Sequence, residues 1–411
     1  MISDWKRAWR ARALLRPPIV QRPPQRSRMD DERLNEEEEW VRRHLVQTDL
    51  AVEAHEVIVE REGPPEIPGV RVEKENFTGG TITRVTIETD AGSRLMGKQK
   101  GHYSTLEAPV LREHNPPAHE QLAGVLAGEI GRFLGLLHIG PADPVLLVGL
   151  GNWNATPDAL GPQVIGHCLV TRHLFRYADP AAQQGLRPVA AITPGVMGLT
   201  GMETSEIVAA LVHHFRPSLV VCVDALAART VERLGTTVQI ADAGISPGSG
   251  VGNTRRGITA AELGVPVLVL GVPTVISALS ILSDAWDRVS GRTPHNEDTP
   301  PPATRIQPDA RQILPNIAPI PADGQPGEAS NGPPPLKAGG PPAAMTGDQA
   351  ARWAAKQETI TSLLQPYLGT MVVTPKEVDV LIDDLAAVVA GAINVALHPG
   401  LNPEDAFDTL Q

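Results

Sequence analysis

Two aspartates stand where apolar strands are predicted to end, and as a pair they could perform acid–base chemistry. Asp158 follows the apolar run 145–148 and a polar turn, at the predicted start of a helix, and Asp224 ends the apolar run 219–223. Parallel strands bring their carboxyl ends to one edge of a sheet, so the two carboxylates would face each other if their strands are neighbours. Carboxylates this close share one proton, so one serves as acid and the other as base, in either order. Such a pair can activate water and protonate a leaving amine.

A structural role is the alternative for each aspartate taken alone. Asp158 would then cap a helix, and Asp224 would cap the end of a strand. The conjunction of two acids at one sheet edge favours the catalytic interpretation.

Other polar residues near this edge are candidates for supporting the pair or binding substrate. They lie in the turn after 145–148 and in the glycine-rich stretch 242–253, and they are Asn152, Asn154, Asp242, Ser249 and Asn253. The glycines of that stretch could present backbone N–H groups to a substrate or an anion. The alternative for 242–253 is a wide loop at the sheet edge.

Several common motifs are missing from the sequence. Gly149-x-Gly151 lacks the third glycine of a dinucleotide fingerprint, and neither a Walker A loop nor Gly-x-Ser-x-Gly is present. His213 and His214 are adjacent on a predicted helix and therefore face apart, and the two cysteines lack a C-x-x-C spacing. We therefore expect neither a metal nor another cofactor.

The elements that must position these residues alternate between strand and helix from about 144 to 289. Strands are predicted at 145–149, 188–193, 219–224, 237–241 and 266–271, and helices at 158–175, 203–215, 225–234 and 274–288. This order predicts an α/β fold with a doubly wound, mostly parallel sheet.

The flanking segments add to this sheet. Alternating residues within 70–96, with a turn at Asp90–Gly92, predict an N-terminal β-hairpin region, and 103–109 is a further strand candidate. Helical spacing is found after Asp49, which would be the N-cap of that helix, and again at 122–137, 348–368 and 374–398.

Composition and charge limit the class of protein. The chain has 411 residues, 42% of them hydrophobic, and a net charge of −11, which disfavours direct nucleic-acid binding. Cys168 and Cys222 lie in apolar elements, which fits core residues of a protein in a reducing compartment. We find no apolar signal core and no uninterrupted apolar run long enough for a membrane. A cytoplasmic location without membrane contact is expected.

Two segments are predicted to lie outside the folded domain. Residues 1–28 carry eight basic residues against one acid, typical of a disordered basic arm, although docking to an acidic surface or nucleic acid is an alternative. Residues 291–347 hold fourteen prolines without periodicity, typical of a disordered insertion. A single domain would therefore comprise 50–290 and 348–400.

The chain resembles the germination proteases of spore-forming bacteria, the endopeptidases of small acid-soluble spore proteins. The resemblance rests on several blocks in one order, among them TDLAVEAHE (48–56), GLGNWNATPDALGP (149–162), VCVDALAAR (221–229), QIADAGISPGSGVGN (239–253) and TPKEVDVLIDDLA (374–386). It covers about 47–289 and 370–398.

This resemblance implies the function and the roles of the residues. It implies a fold akin to hydrogenase-maturation peptidases, a homotetramer, and an atypical aspartic endopeptidase with Asp158 and Asp224 as catalytic carboxylates. It also implies a zymogen in the cytoplasm of the developing spore and the spore core. That zymogen would cut itself at Asp49–Leu50, so that residues 1–49 are a propeptide that mimics acidic substrate sites, and a shared proton would make the cut sensitive to acid.

Two departures from the family pattern are the long segment before Asp49 and the proline-rich insertion. They bear on autoprocessing control and assembly more than on the catalytic core. The alternatives are a metal-assisted peptidase and a non-catalytic protein that binds acidic partners in the same crevice.

Overall fold

A computed structural model describes residues 48–62, 67–246, 256–278, 280–282 and 371–401. The described residues up to Ile276 and from Thr374 onward belong to one compact unit. Those from Ser277 to Val373 belong to a second unit, which contains the short strand β9, Val372–Val373. The candidate residues Ser249 and Asn253, the segment 1–47, the insertion 291–347 and the predicted helix 348–368 lie outside the described residues.

The centre of the first unit is a sheet in which one half is parallel. Strands β4 (Val145–Gly149), β5 (Val189–Ile192), β6 (Leu219–Ala228) and β8 (Val267–Ser277) run in one direction, in the order β8-β6-β4-β5. The central strands are buried on both faces, which explains why they are apolar without alternation.

The other half of the sheet is antiparallel. Strands β1 (Val70–Phe77), β2 (Gly80–Ile87), β3 (Gly101–Glu107) and β7 (Thr237–Ala241) follow one another, and β7 joins β8 in an antiparallel pairing. The predicted α/β class is confirmed, but along this order of eight strands the sheet is mixed rather than mostly parallel.

Helices cover both faces of the sheet. On one face lie α3 (Pro116–Leu136), α4 (Leu160–His167) and α9 (Val378–Leu397). On the other face α1 (Ala51–Glu62) and α2 (Asp90–Met96) cover the antiparallel half, and α7 (Thr204–Phe215) covers the parallel half. Three single-turn helices complete the unit, α5 (Leu174–Tyr177), α6 (Met197–Thr200) and α8 (Ala260–Leu263).

Four local predictions were wrong. The predicted helix 225–234 is instead the end of β6, followed by a 3-10 turn at Val231–Arg233, and the predicted helix 274–288 begins with strand residues up to Ser277. The predicted helix 158–175 is divided into a 3-10 turn at Thr156–Asp158, α4 and α5. The hairpin turn lies at 78–79, between β1 and β2. Residues 90–92, predicted as that turn, instead open α2, where Thr89 Oγ1 accepts from Gly92 N–H at 3.0 Å.

The apolar helix α9 belongs to the core. By length and composition it could cross a membrane, but 67% of its apolar window is buried inside the protein and acids interrupt it at 379, 383 and 384. Its buried residues pack with those of α3 and α4 in the largest hydrophobic cluster. A mostly buried core helix accounts for this composition.

Candidate active site

Asp224 lies within strand β6 rather than at its end. It pairs with Gly271 of β8, which in turn pairs with Gln239 of β7. Residues directly opposite each other in a sheet project from the same face, so Asp224 and Gln239 flank a position that has no side chain. Asp224 is 6% exposed. A strand that continues past a buried acid therefore replaces the predicted strand-end cap.

The environment of Asp224 favours its neutral form. Burial raises its pKa well above the usual range, and the negative charges of Asp158 and then Asp49 raise it further. The N–H of Ala225, which donates to Asp224 Oδ1 at 2.9 Å, acts in the opposite direction. Asp224 thus lies near two further carboxylates, and their charges favour its protonated form.

Asp158 ends a 3-10 turn whose backbone is held firmly. Its N–H donates to Ala155 O at 2.7 Å, and its carbonyl oxygen accepts from Asn152 N–H at 2.9 Å. Thr274 of β8 donates from Oγ1 to Pro157 O at 2.6 Å. Gly151 has a φ of +110° and a Cβ there would lie 2.0 Å from Asp158 O, so this return of the chain requires glycine.

A second glycine brings the same turn against β6. A Cβ on Gly161, at the start of α4, would lie 2.2 Å from Leu150 O and 2.5 Å from Val223 O. Leu150 N–H also donates to Val223 O at 2.8 Å. The backbone next to Asp224 is therefore in direct contact with the element that carries Asp158.

The segment Thr48–Leu50 lies along β6, just beyond Asp224. Asp49 N–H donates to Ala227 O at 3.0 Å, and Asp49 Oδ2 accepts from Ala227 N–H at 2.9 Å. Leu50 is fully buried against Val52, Leu226 and Ile245. The segment is thus fixed to β6 beside the candidate aspartates.

Gln239 contacts this segment on both sides of the Asp49–Leu50 bond. Its Nε2 donates to Asp49 O at 3.1 Å, and its Oε1 accepts from Ala51 N–H at 2.7 Å. The intervening Leu50 N–H donates to Thr48 Oγ1 at 3.1 Å. The peptide groups around this bond are therefore fixed by identifiable partners.

Two further charged side chains fix the ends of the segment. Lys98 Nζ donates to Thr48 O at 2.8 Å, and burial lowers the pKa of Lys98 against the opposing charges of Asp49 and Glu53. Glu53, 1% exposed, accepts from the N–H groups of Arg229 and Thr230 at 2.8 and 3.1 Å. These contacts connect the start of α1 to the end of β6.

Comparison with known proteins decides the family. A family model described as "Germination protease" matches residues 51–310 and 345–408. The chain is 40% identical to the germination protease of Bacillus subtilis over 367 residues, which cover 89% of this chain and 96% of that protein. It is 41% identical to that of Caldanaerobacter subterraneus over 360 residues (88% and 96%) and 39% identical to that of Clostridium acetobutylicum over 356 residues (87% and 96%). The chain belongs to the germination protease family.

Membership of the germination protease family makes this chain a peptidase. Among the residues predicted for its site, the structure brings Asp158, Asp224 and Asp49 together. Asn152 and Asn154 shape the turn before Asp158, where Asn152 Oδ1 accepts from Asn154 N–H at 3.0 Å. Their described hydrogen bonds are those of turn residues.

Asp242 is located elsewhere. Its Oδ1 accepts from His102 N–H and its Oδ2 contacts His102 Nδ1, both at 2.7 Å. Because β7 is antiparallel to β8, Asp242 lies three residues past Gln239 in the direction away from the carboxyl ends of the parallel strands, about 10 Å along the sheet. Asp49 was predicted to cap the helix that follows it. Its carboxylate instead accepts from Ala227 N–H of β6.

Within the described ranges no group of three or more His, Cys, Asp or Glu side chains has the arrangement of a metal site. Cys168 and Cys222 are free thiols, and burial raises the pKa of Cys168 to about 12.

Three residues that contact the segment around Asp49 were missed in the sequence: Gln239, Lys98 and Glu53. Gln239 is a polar residue in the otherwise apolar strand Thr237–Ala241, and that contrast was its available signal. Glu53 was assigned only to a first helical turn, and Lys98 stands in a polar stretch without a distinguishing pattern.

Proposed function

We propose that this chain is a self-processing endopeptidase that hydrolyses small acid-soluble, DNA-binding spore proteins during germination, in the cytoplasm of the spore core. Asp158 and Asp224 activate the water. The observation that carries the proposal is the buried Asp224 carboxyl, whose pKa is raised by burial and by the charge of Asp158. Family membership supports the protease activity, and the substrates follow from the resemblance of the sequence blocks.

The two carboxyl groups have different environments, and these assign their roles. The raised pKa of Asp224 favours it as the proton donor, whereas the less buried Asp158 is assigned as the base. Asp158 takes a proton from water, and the water oxygen bonds to the carbonyl carbon of the substrate. The carbon–nitrogen bond then breaks as Asp224 gives its proton to the leaving nitrogen.

The first substrate in this proposal is the chain itself, at Asp49–Leu50. The docking of Thr48–Leu50 along β6, next to Asp224, supports this assignment. The raised pKa of Asp224 gives a reason for acid sensitivity, because this carboxyl takes up its proton at a higher pH than an ordinary aspartate. Residues 1–49 would then leave as the propeptide.

Assembly as a homotetramer and a fold akin to hydrogenase-maturation peptidases complete the proposal. Exposed apolar side chains after β4 and around α6 are available for contacts between copies, namely Trp153, Leu199 and Met202.

The test compares Asp158→Asn and Asp224→Asn with Asp383→Asn, an exposed aspartate on α9. Loss of the shared proton chemistry should lower cleavage of a spore-protein peptide by about 10²–10⁴-fold in the first two variants and leave the third unchanged. Intact-mass analysis after mildly acidic incubation should show loss of residues 1–49 in the wild type and in Asp383→Asn only.

Full activity in both site variants would contradict the aspartate mechanism. Loss of wild-type activity in a chelator would favour the metal-assisted alternative. A wild-type chain that binds such peptides and cuts none would favour the binding protein.

A further inference from the structure

We infer that Gln239 is the donor that holds and polarises the carbonyl group of the peptide bond to be cut. This inference rests on the proposed function and adds a residue to it. Gln239 Nε2 donates to the carbonyl oxygen of Asp49 at 3.1 Å, and that oxygen gains negative charge when water attacks the Asp49–Leu50 bond. In the proposed function Asp158 and Asp224 act on the water and on the leaving nitrogen, so the carbonyl oxygen needs a separate donor.

The position of Gln239 relative to Asp224 fits that role. Both residues pair with Gly271, Asp224 from β6 and Gln239 from β7, and both project from the same face of the sheet. Gly271 has no side chain of its own, and the side chain of Leu226 fills that space, since a Cβ on Gly271 would lie 2.5 Å from Leu226 Cδ1. The segment at Asp49 is therefore bound directly by Gln239 and lies near enough to Asp224 for the Asp49 charge to act on that carboxyl.

Packing alone does not account for an amide at this position. Gln239 is 7% exposed within an apolar strand, where a buried amide is costly unless it is hydrogen-bonded. Its two side-chain hydrogen bonds described above both join the segment around the cut, at Asp49 O and at Ala51 N–H. The start of α1 has a separate anchor in Glu53, which accepts from Arg229 and Thr230.

Gln239 acts in the reaction as a neutral hydrogen-bond donor and exchanges no proton. The water oxygen bonds to the Asp49 carbonyl carbon while Asp158 receives the water proton, and the Gln239 N–H stabilises the resulting oxyanion. Collapse breaks the carbon–nitrogen bond, and the Asp224 proton goes to the Leu50 nitrogen. The products are a carboxyl group on Asp49 and an amine on Leu50. An uncharged amide stabilises the oxyanion. A cation in its place would also favour the ionised form of Asp224, which has to donate its proton.

The same two contacts define how Gln239 would hold a substrate in trans. Once residues 1–49 leave and the new N-terminal residues Leu50 and Ala51 move off Gln239, its Nε2 and Oε1 can take the carbonyl of the residue before the cut and the N–H of the second residue after it. These are backbone groups, so Gln239 fixes the direction and register of an extended peptide while other residues select its side chains.

The experiment compares Gln239→Glu with Gln183→Glu in the full chain. The carboxylate introduced by Gln239→Glu keeps an acceptor for Ala51 N–H but has no N–H for the scissile carbonyl. Gln183 likewise donates to backbone carbonyls, of Leu174 and Ala178, away from the aspartates. We expect kcat on a spore-protein peptide to fall by about 10²–10³-fold for Gln239→Glu, a larger change than any rise in KM, and no change for Gln183→Glu.

Unchanged kcat in Gln239→Glu, or a raised KM with unchanged kcat, overturns the inference. If that variant does not fold, Gln239→Asn, whose amide is one methylene shorter, decides by the same criterion. Wild type and Asp158→Asn are measured in the same assay. If the wild type cuts and Asp158→Asn does not, an active Gln239→Glu sinks the Gln239 assignment alone. If the wild type does not cut, the proposed function fails and the assignment fails with it.

Discussion

At the scale of single residues, the burial of Asp224 has a cost in stability that accompanies its proposed role. An acid with a raised pKa in the folded state binds its proton more tightly there than in the unfolded chain. Its contribution to stability is therefore present below the unfolded pKa, near 4, and is lost as the pH rises through the higher folded value. At neutral pH the wild type carries this cost.

Asp224→Asn should consequently stabilise the protein at pH 7.5. Asparagine keeps Oδ1 as acceptor for Ala225 N–H and removes the ionisable group, so we expect a free energy of unfolding about 1–3 kcal/mol above that of the wild type. The difference should shrink as the pH falls towards 4. Urea unfolding of both proteins from pH 4 to 8 measures it, with Asp383→Asn as the exposed control. A variant less stable than wild type at pH 7.5 would contradict a buried, proton-holding Asp224.

At the scale of elements, the approach of α4 to β4 and β6 fixes the position of Asp158. The α4 residue Gly161 makes this approach possible, because a methyl group there would collide with the carbonyl oxygens of Leu150 and Val223 at 2.2 and 2.5 Å. Since both are backbone atoms, the helix must shift as a whole.

Gly161→Ala should therefore lower activity even where the protein stays folded. We expect overpacking to cost about 1–3 kcal/mol and the displaced Asp158 to lower kcat by about 10²-fold. Gly166→Ala in the same helix is the matched control, since no atom lies within 4 Å of a Cβ there, and it should be neutral or slightly stabilising. Equal activity of the two variants would mean that α4 does not position Asp158. Circular dichroism and peptide cleavage give the two readouts.

Some of these elements follow from local sequence, and others depend on long-range pairing. The apolar runs of β4, β6 and β8 predicted buried strands correctly, because burial on both faces leaves a continuous pattern. Residues 225–234 contain several alanines, which favour helix locally, but pairing of Ala225–Ala228 with β8 extends the strand instead.

The candidate site was predictable where it depended on the direction of the parallel strands. Asp158 and Asp224 could be paired from the order of strands, since parallel neighbours bring such residues to one edge. The antiparallel direction of β7 had no local signal, so Asp242 was grouped with the aspartates while Gln239 was overlooked. Contacts between residues 49 and 239 depend on the assembled sheet and are not visible in spacing.

At the scale of the whole molecule, the C-terminal residues close the unit by binding its middle. Asn394 of α9 accepts from Leu169 N–H at 2.8 Å, and Arg187 Nε donates to Leu397 O at 2.9 Å. Buried His398 accepts from Arg187 N–H at its Nδ1, at 3.1 Å, and contacts Leu169 O through Nε2 at 3.2 Å. An Nδ1 that accepts has no proton, so the folded ring is neutral with its proton on Nε2.

The neutral state of His398 makes this closure sensitive to acid. Burial lowers its pKa, the hydrogen bond to Leu169 O opposes this, and the charge of Arg187 lowers it further. A lowered folded pKa gives a contribution to stability that is present above the unfolded value near 6.5 and lost as the pH falls through the folded value. The direction is opposite to that of Asp224, so the two effects can be separated only by comparing variants.

His398→Gln should remove this acid sensitivity, because glutamine keeps one acceptor and one donor but gains no proton. We expect the wild type to lose about 1 kcal/mol relative to His398→Gln between pH 7.5 and 5, measured as the difference in urea unfolding free energies. His213→Gln, at an exposed position on α7, should follow the wild type throughout. If the wild type and His398→Gln keep a constant difference over this range, protonation of His398 does not loosen the attachment of α9. Any acid response of processing would then have to arise at the aspartates, where burial and neighbouring charges raise the pKa of Asp224.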